Sequence, residues 1–130
     1  MVLVDQKSKP LAILVTSAAT HEIRLVKETL KARVSKRKPR RLTGDKAYDS
    51  DAMDHELARE GVELNAPHRN GRCKAPTQDR RKLKAYKNRW KVERFFAWLF
   101  GFRKCVTRYE YHPNNFAAFL MLASAIILMR

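Results

Sequence analysis

Short apolar runs that favour β-strands alternate along this sequence with segments whose apolar residues recur at helical spacing. Residues 1–4 and 11–16 are two such runs on either side of a polar turn, and they predict a β-hairpin. Residues 42–44 and 62–66 predict two further short strands. Strands separated by helices are typical of an α/β domain. The opening hairpin favours a mixed sheet over a purely parallel one.

Four helices are predicted around these strands. Thr20 is placed to cap the first, and Asp49 or Ser50 the second, which ends at Gly61. The first helix has an apolar stripe of Ile23, Val26, Leu30 and Val34. A basic loop over residues 67–78 precedes a long helix over residues 79–100. Residues 116–129 predict a buried final helix, because 14 apolar residues fall short of the roughly 20 that a membrane span needs.

The excess of positive charge indicates which kind of molecule the chain binds. The chain has 130 residues, enough for one domain, with 28 Lys and Arg against 13 Asp and Glu and a net charge of +15. An excess this large favours a polyanion, and nucleic acid is the usual one. Cys73 and Cys105 lie far apart, which is typical of a reducing cytosol and indicates neither a disulfide scaffold nor a zinc ribbon.

Positive charge is concentrated in two segments, which we predict to bind duplex DNA. The first is residues 36–41, which contain Arg40 and Arg41. The second is the loop after the last predicted strand. Its cationic residues are Arg69, Arg72, Lys74, Arg80 and Arg81. Binding through such segments weakens steeply as salt rises.

The predicted long helix carries an acidic residue on its apolar face. On an ideal helix this face is an arc of about 100°, formed by Leu83, Tyr86, Trp90, Ala97 and Phe100. Glu93 lies inside the arc, where a carboxylate is costly unless it is paired. One interpretation is a salt bridge to Arg89 four residues earlier, and helix geometry alone favours it. The other is that Glu93 binds a divalent metal while Arg89 and Tyr86 contact a phosphate backbone.

A second acid, Asp45, stands at the predicted end of a strand. Ligands of α/β sheets bind beyond the carboxyl ends of strands, and a carboxylate there suits a hard cation. The alternative is turn chemistry, because Asp45, Asp49, Ser50 and Asp51 are all good turn and cap residues. We attribute Asp49 and Asp51 to capping.

These motifs resemble those of insertion-sequence DDE transposases. Leu-Thr-Gly-Asp-Lys-Ala-Tyr-Asp-Ser at residues 42–50 resembles the segment around the second catalytic aspartate of the family. Tyr86, Arg89 and Glu93, followed by Arg-Phe-Phe, resemble its third-acid signature. The opening hairpin, Arg103 and Thr-Arg-Tyr at residues 107–109 also match. The resemblance covers essentially the whole chain. It implies a partial ribonuclease-H-like fold, a mixed sheet with flanking helices in which the first catalytic strand is missing.

The resemblance also implies the chemistry. Asp45 and Glu93 would be two of three carboxylates that bind Mg²⁺ or Mn²⁺ for DNA cleavage and strand transfer, and they are expected within a few ångströms of each other. Tyr86, Arg89 and Lys46 are expected near the DNA. The implied partners are the terminal repeats and target DNA of the element, in a bacterial cytoplasm at the nucleoid and away from any membrane.

The family's first aspartate has no counterpart in these 130 residues, so we expect the chain to be inactive alone and to pair with an N-terminal transposase fragment. A second copy of the chain stays open as a partner. Phe100 stands where the family has a lysine, and we expect it to pack in the core. The alternative function is a non-catalytic basic nucleic-acid-binding protein.

Overall fold

The computed structural model describes residues 1–73, 75 and 82–129, and it has the predicted mixed α/β composition. The strands are β1 (Val2–Val4), β2 (Pro10–Ile13), β3 (Arg41–Thr43) and β4 (Glu63–Asn65). The α-helices are α1 (Glu22–Lys31), α2 (Asp51–Arg59), α3 (Trp90–Leu99), α4 (Arg103–Val106) and α5 (Pro113–Leu128). Two 3₁₀ segments span Lys46–Tyr48 and Lys82–Arg89. The described residues divide into two compact units: residues 1–36 with 90–129, and residues 37–89.

The first unit opens with the predicted hairpin. β1 and β2 pair antiparallel, with Val2 opposite Ile13 and an irregularity after Leu3. The carboxylate of Asp5 holds the turn, since its Oδ1 accepts hydrogen bonds from the amides of Lys7 and Lys9, both at 2.8 Å. The strands are shorter than the apolar runs that predicted them.

Helix α1 follows the hairpin and differs from its prediction at both ends. Its N-cap is His21, whose Nδ1 accepts from the Ile23 amide, so the predicted cap at Thr20 is wrong. The helix ends at Lys31, and the Val34 amide donates to the carbonyl of Leu11 in the neighbouring segment. Val34 has therefore left the helical stripe, and it is 81% exposed.

The core of this unit lies between α3, α4, α5 and the hairpin. Its buried members are Phe95, Leu99, Cys105, Leu120, Ala123 and Ile127. Partly buried residues of the hairpin, among them Val4 and Ile13, pack against it. The predicted final helix is confirmed as α5, but only one face of it is buried, and Met121 and Leu122 lie exposed. Among the described residues, no helix has both the length and the apolar character that crossing a membrane requires.

The second unit is built around a parallel strand pair. β3 and β4 pair with Leu42 opposite Leu64 and Thr43 opposite Asn65. Helix α2 connects them and buries Leu57, and its N-cap is Ser50, one of the two predicted caps. The strands of the described residues pair in two two-stranded sheets, one antiparallel and one parallel, and this mixture of pairings is consistent with the predicted partial ribonuclease-H-like fold.

The predicted long helix is wrong in its first half. Residues 82–89 form a 3₁₀ helix, the α-helix begins only at Trp90, and residues 79–81 lie outside the described residues. Half of the residues from Lys82 to Arg89 are basic, so this segment has little apolar surface to bury along an α-helical face. A 3₁₀ helix has 3.0 residues per turn, whereas an α-helix has 3.6. Tyr86 therefore does not keep the helical phase to Glu93 that a single α-helix would give.

Candidate active site

Asp45 lies where the sequence predicted it, directly after a strand. β3 ends at Thr43, and the Gly44 amide extends the ladder by donating to the Asn65 carbonyl at 3.1 Å. The Asp45 side chain then caps the 3₁₀ turn Lys46–Tyr48, with Oδ1 accepting from the Ala47 amide at 2.8 Å. Within the described part of the chain, Oδ2 accepts no hydrogen bond. One oxygen of the carboxylate is fixed by the turn and the other is available to a ligand.

Gly44 is required by the close approach of Tyr48. A Cβ at position 44 would lie 2.8 Å from Cδ2 of the Tyr48 ring, closer than real Cβ contacts allow. The ring therefore covers the backbone just before Asp45. This contact restricts the path of the chain from the end of β3 into the turn.

A polar cluster lies beside this turn, at the carboxyl ends of the two parallel strands. Asp49 is its centre, with its side chain only 4% exposed. The Oδ1 of Asp49 lies 2.8 Å from Nδ1 of His68 and 3.0 Å from a terminal nitrogen of Arg72. Its Oδ2 accepts from the Arg69 amide at 2.8 Å. Arg72 also donates to Asp51 at 2.6 Å, so its guanidinium bridges two carboxylates.

The charge states of the cluster follow from these contacts. Burial by itself raises the pKa of Asp49, but the Arg69 amide, His68 and Arg72 outweigh it and hold that pKa below its usual value. The hydrogen bond to Asp51 raises the pKa of the Arg72 guanidinium. Burial, followed by the charges of Asp51 and Asp49, raises the pKa of Asp54.

The loop after β4 also contacts the turn that follows Asp45, mainly at the backbone carbonyls of that turn. Nε of Arg69 donates to the Lys46 carbonyl at 3.1 Å, and a terminal nitrogen of Arg69 donates to the Ala47 carbonyl at 2.8 Å. Nζ of Lys46 donates to the side chain of Asn70 at 3.0 Å. All three acceptors are uncharged, so within the described part of the chain the side chains of Lys46 and Arg69 keep their positive charge at the surface.

Sequence reasoning missed His68 and the role of Asp49. Asp49 does not cap α2, because Ser50 does. The signal was present in the strand order, since β3 and β4 are parallel and the residues that follow them must meet at one edge. His68, Arg69 and Arg72 follow β4 as Asp45 and Asp49 follow β3.

Glu93 lies on α3, but the predicted apolar stripe on that helix is wrong. The buried face is formed by Phe95 and Leu99, with Val92 and Phe96 partly buried, which is the spacing of a single helical stripe. Trp90, Glu93 and Ala97 lie on the exposed side. The Glu93 carboxylate is exposed to solvent, so it does not carry the cost of burial that a partner was expected to offset.

An arginine lies between two tryptophans on the same exposed side of α3. The Arg94 guanidinium is 4.2 Å from the centroid of the Trp90 ring and 5.8 Å from that of Trp98. These are cation–π contacts between residues four apart on the helix. They hold Arg94 along the helix surface next to Glu93.

Phe100 is not a core residue. It is 52% exposed, whereas Phe95 is fully buried, and its ring lies 5.7 Å between centroids from that of Phe96, a partly buried residue at the edge of the core. α3 ends at Leu99, one residue earlier, so Phe100 no longer follows the helical stripe. The predicted packing of Phe100 is therefore wrong.

The remaining predicted DNA contacts differ in their surroundings. Arg89 stacks on the Tyr86 ring at 5.8 Å, as residues three apart on a 3₁₀ helix can. Arg41 pairs with Glu63 at 3.2 Å. Arg40 is exposed and forms no ion pair within residues 1–73, 75 and 82–129. Lys74, Arg80 and Arg81 lie outside the described residues.

The two predicted metal ligands belong to different compact units, Asp45 to the second and Glu93 to the first. Their proximity stays a prediction. Among the described residues, no three side chains of His, Cys, Asp or Glu come together in a group that could hold a metal ion. Asp45 and Glu93 supply oxygen ligands of the kind that Mg²⁺ prefers, so the donor chemistry fits such an ion.

Fold and site together describe a basic α/β domain with a carboxylate at a strand end. The sequence matches the transposase DDE domain over residues 1–128, and the chain belongs to this family. Neither the curated proteins nor the solved structures contained a match to the sequence. Membership implies a function in transposition, an enzyme of the polynucleotidyl transferase type, and DNA as a partner. The family generally uses divalent metal ions.

Proposed function

We propose that this domain takes part in DNA transposition by metal-dependent strand cleavage and strand transfer, with Asp45 and Glu93 as two of its metal-binding carboxylates. The observation that carries the proposal is the state of Asp45. It stands at the carboxyl end of a parallel strand, with Oδ1 fixed by the Ala47 amide and Oδ2 without a hydrogen bond among the described residues. A ligand for a hard cation needs such a fixed carboxylate with an available oxygen.

The metal would be Mg²⁺ or Mn²⁺. Two bound ions would activate the attacking water or DNA 3′-hydroxyl and stabilise the leaving oxygen during in-line displacement at phosphorus. The turn Lys46–Tyr48 orients the Asp45 carboxylate, and the exposed side of α3 presents Glu93. A third carboxylate, which the family resemblance implies, would come from outside these 130 residues, on an N-terminal transposase fragment. On this proposal the 130 residues alone neither cleave nor join DNA.

The proposed DNA contacts are the cations that keep their charge. Within the described residues, the side chains of Lys46 and Arg69 donate to uncharged groups, and Arg40 forms no ion pair. We add Arg89 and Tyr86 by the family resemblance. Arg41 shares its charge with Glu63 and would contribute less to phosphate binding. Arg72 is already bound to two carboxylates, and we assign it below to another role.

The test is cleavage of terminal-repeat DNA with Mg²⁺ or Mn²⁺, by the chain together with the upstream polypeptide. Asp45→Asn and Glu93→Gln should each abolish cleavage, because each removes an anionic ligand while keeping the side-chain size. Glu28→Gln, an exposed acid on α1, is the matched control and should leave cleavage unchanged. Cleavage that survives both substitutions would remove Asp45 and Glu93 from the proposed site, whereas DNA binding without cleavage by the wild type would favour the non-catalytic nucleic-acid-binding alternative.

A further inference from the structure

The short turn that carries Asp45 is attached to the rest of its unit by the loop after β4. The turn spans only three residues, Lys46–Tyr48, and such a short 3₁₀ segment has few hydrogen bonds of its own. Its carbonyls at Lys46 and Ala47 accept from the Arg69 guanidinium. The position of Asp45 therefore depends on the position of Arg69 and its loop.

The loop itself is held by the carboxylate of Asp49. His68, the Arg69 amide and Arg72 approach the two oxygens of Asp49 at 2.8, 2.8 and 3.0 Å. These contacts join residues 19 to 23 positions apart in sequence. Arg72 extends the connection to Asp51 in the first turn of α2. The cluster thus ties the start of α2, the loop after β4 and the Asp45 turn together.

We propose that Asp49, His68 and Arg72 are positioning residues that hold the Asp45 carboxylate ready for a divalent metal ion, an inference that rests on the proposed function. A metal ligand must be held within about 0.5 Å of its working position by packing and hydrogen bonds from surrounding groups. The Asp49 cluster supplies these hydrogen bonds through the Arg69 loop. Asp49 itself is turned toward its three donors and is not one of the metal ligands.

This role replaces the DNA contact predicted for Arg72. Its side chain is 13% exposed, and both terminal nitrogens donate to carboxylates. A guanidinium in this state is neutralised by the protein and gains little by meeting a phosphate. Arg72→Gln should therefore leave the salt dependence of DNA binding unchanged, whereas removal of a phosphate contact would lower the slope by about 0.9.

The experiment measures order at the turn and metal binding in the full 130-residue chain, without turnover. Amide hydrogen exchange is followed by NMR for wild type, Asp49→Asn, His68→Leu and His68→Asn. Asp49→Asn and His68→Leu should speed exchange of the Ala47 amide at least about tenfold, the change expected for losing one hydrogen bond to a charged group. His68→Asn should restore slow exchange, because its side-chain amide can donate to Asp49 from the position of Nδ1. The Leu42 amide in β3 is the internal reference and should not change.

Metal binding is followed in the same samples by the paramagnetic broadening that Mn²⁺ alone causes at the Asp45–Ala47 amides. The variants with fast exchange should need at least about tenfold more Mn²⁺ for equal broadening, by the same loss of one charged hydrogen bond. A purely structural role would change the melting temperature and leave the Mn²⁺ requirement as in wild type, and that result would overturn the inference. If Asp49→Asn does not fold, the His68 pair decides the question.

Asp45→Asn separates this inference from the proposed function. If Asp45→Asn removes the broadening but Asp49→Asn and His68→Leu do not weaken it, the positioning role is contradicted and the metal site at Asp45 is supported. If Asp45→Asn leaves the broadening unchanged, the metal site itself falls, whatever the exchange rates show.

Discussion

At the scale of single residues, Asp49 should stabilise the fold in a way that depends on pH. We expect Asp49→Asn to lower the free energy of unfolding by about 1–3 kcal/mol at pH 7, since it weakens hydrogen bonds to a charged group. The pKa of Asp49 in the folded chain is lowered, so this stabilisation is present above the unfolded value of about 3.9 and is lost as the pH falls through the folded pKa. Urea denaturation from pH 7 down to pH 2 measures it.

Glu28→Gln, an exposed acid on α1, serves as the control and should show no comparable loss. The same samples allow a second measurement. Because the Asp49 charge contributes to the raised pKa of Asp54, after burial and Asp51, Asp49→Asn should bring the pKa of Asp54 closer to its usual value. A destabilisation that is as large at pH 2 as at pH 7 would show that the Asp49 charge is not responsible.

Gly44→Ala tests the close contact between the backbone and Tyr48. The added Cβ would lie 2.8 Å from the ring, so we expect a destabilisation of about 1–3 kcal/mol by overpacking. In a Tyr48→Ala background the same substitution should cost much less, because the ring is gone. A double-mutant cycle by urea denaturation measures the difference, and equal costs in both backgrounds would exclude the ring as the cause.

The two acids show how far single residues can be read from sequence. Asp45 was predicted at a strand end because its neighbours in sequence, the apolar run and Gly44, define that end. Asp49 was assigned to capping, because its partners His68 and Arg72 lie 19 and 23 positions away. Local patterns do not report such contacts. Only the parallel pairing of β3 and β4 brings these residues together.

At the scale of elements, α3 should depend on Phe95 and hardly on Phe100. Phe95→Ala removes a fully buried ring and should cost about 3–5 kcal/mol. Phe100→Ala is the matched control and should cost less than about 1 kcal/mol, since its ring is half exposed. Phe100→Lys should be tolerated for the same reason. Thermal unfolding of the three variants gives the comparison, and equal losses at both positions would contradict this burial pattern.

The error on α3 came from joining two different helices into one. Leu83 and Tyr86 set the phase of the predicted stripe, but they lie in a 3₁₀ segment, whose residues turn by a different angle. Within α3 alone, Val92, Phe95, Phe96 and Leu99 give the correct stripe. Helix existence was therefore predictable, whereas its start and its buried face were not.

At the scale of the whole molecule, the cationic residues differ in whether their charge is available to DNA or already paired with an acid of the protein. Of the cations predicted to bind DNA, Arg72 is bound to two acids of the protein and Arg41 to one. A cationic side chain releases a counterion from DNA when it neutralises a phosphate. A side chain whose charge is already neutralised by an acid of the protein contributes little to this release. The total of 28 Lys and Arg residues therefore overstates the number of phosphate contacts.

This distinction predicts a difference between surface arginines in DNA binding. Arg40→Ala should weaken binding to duplexes of any sequence and lower the slope of log affinity against log salt by about 0.9, the value for one phosphate. Arg24→Ala, an exposed arginine on α1 outside the predicted DNA-binding segments, is the matched control and should leave the slope unchanged. Titrations at several salt concentrations, monitored by fluorescence anisotropy, measure both slopes. Equal slopes for wild type and Arg40→Ala would remove Arg40 from the proposed DNA-binding surface, and the positive charge that carries binding would then have to lie on other residues.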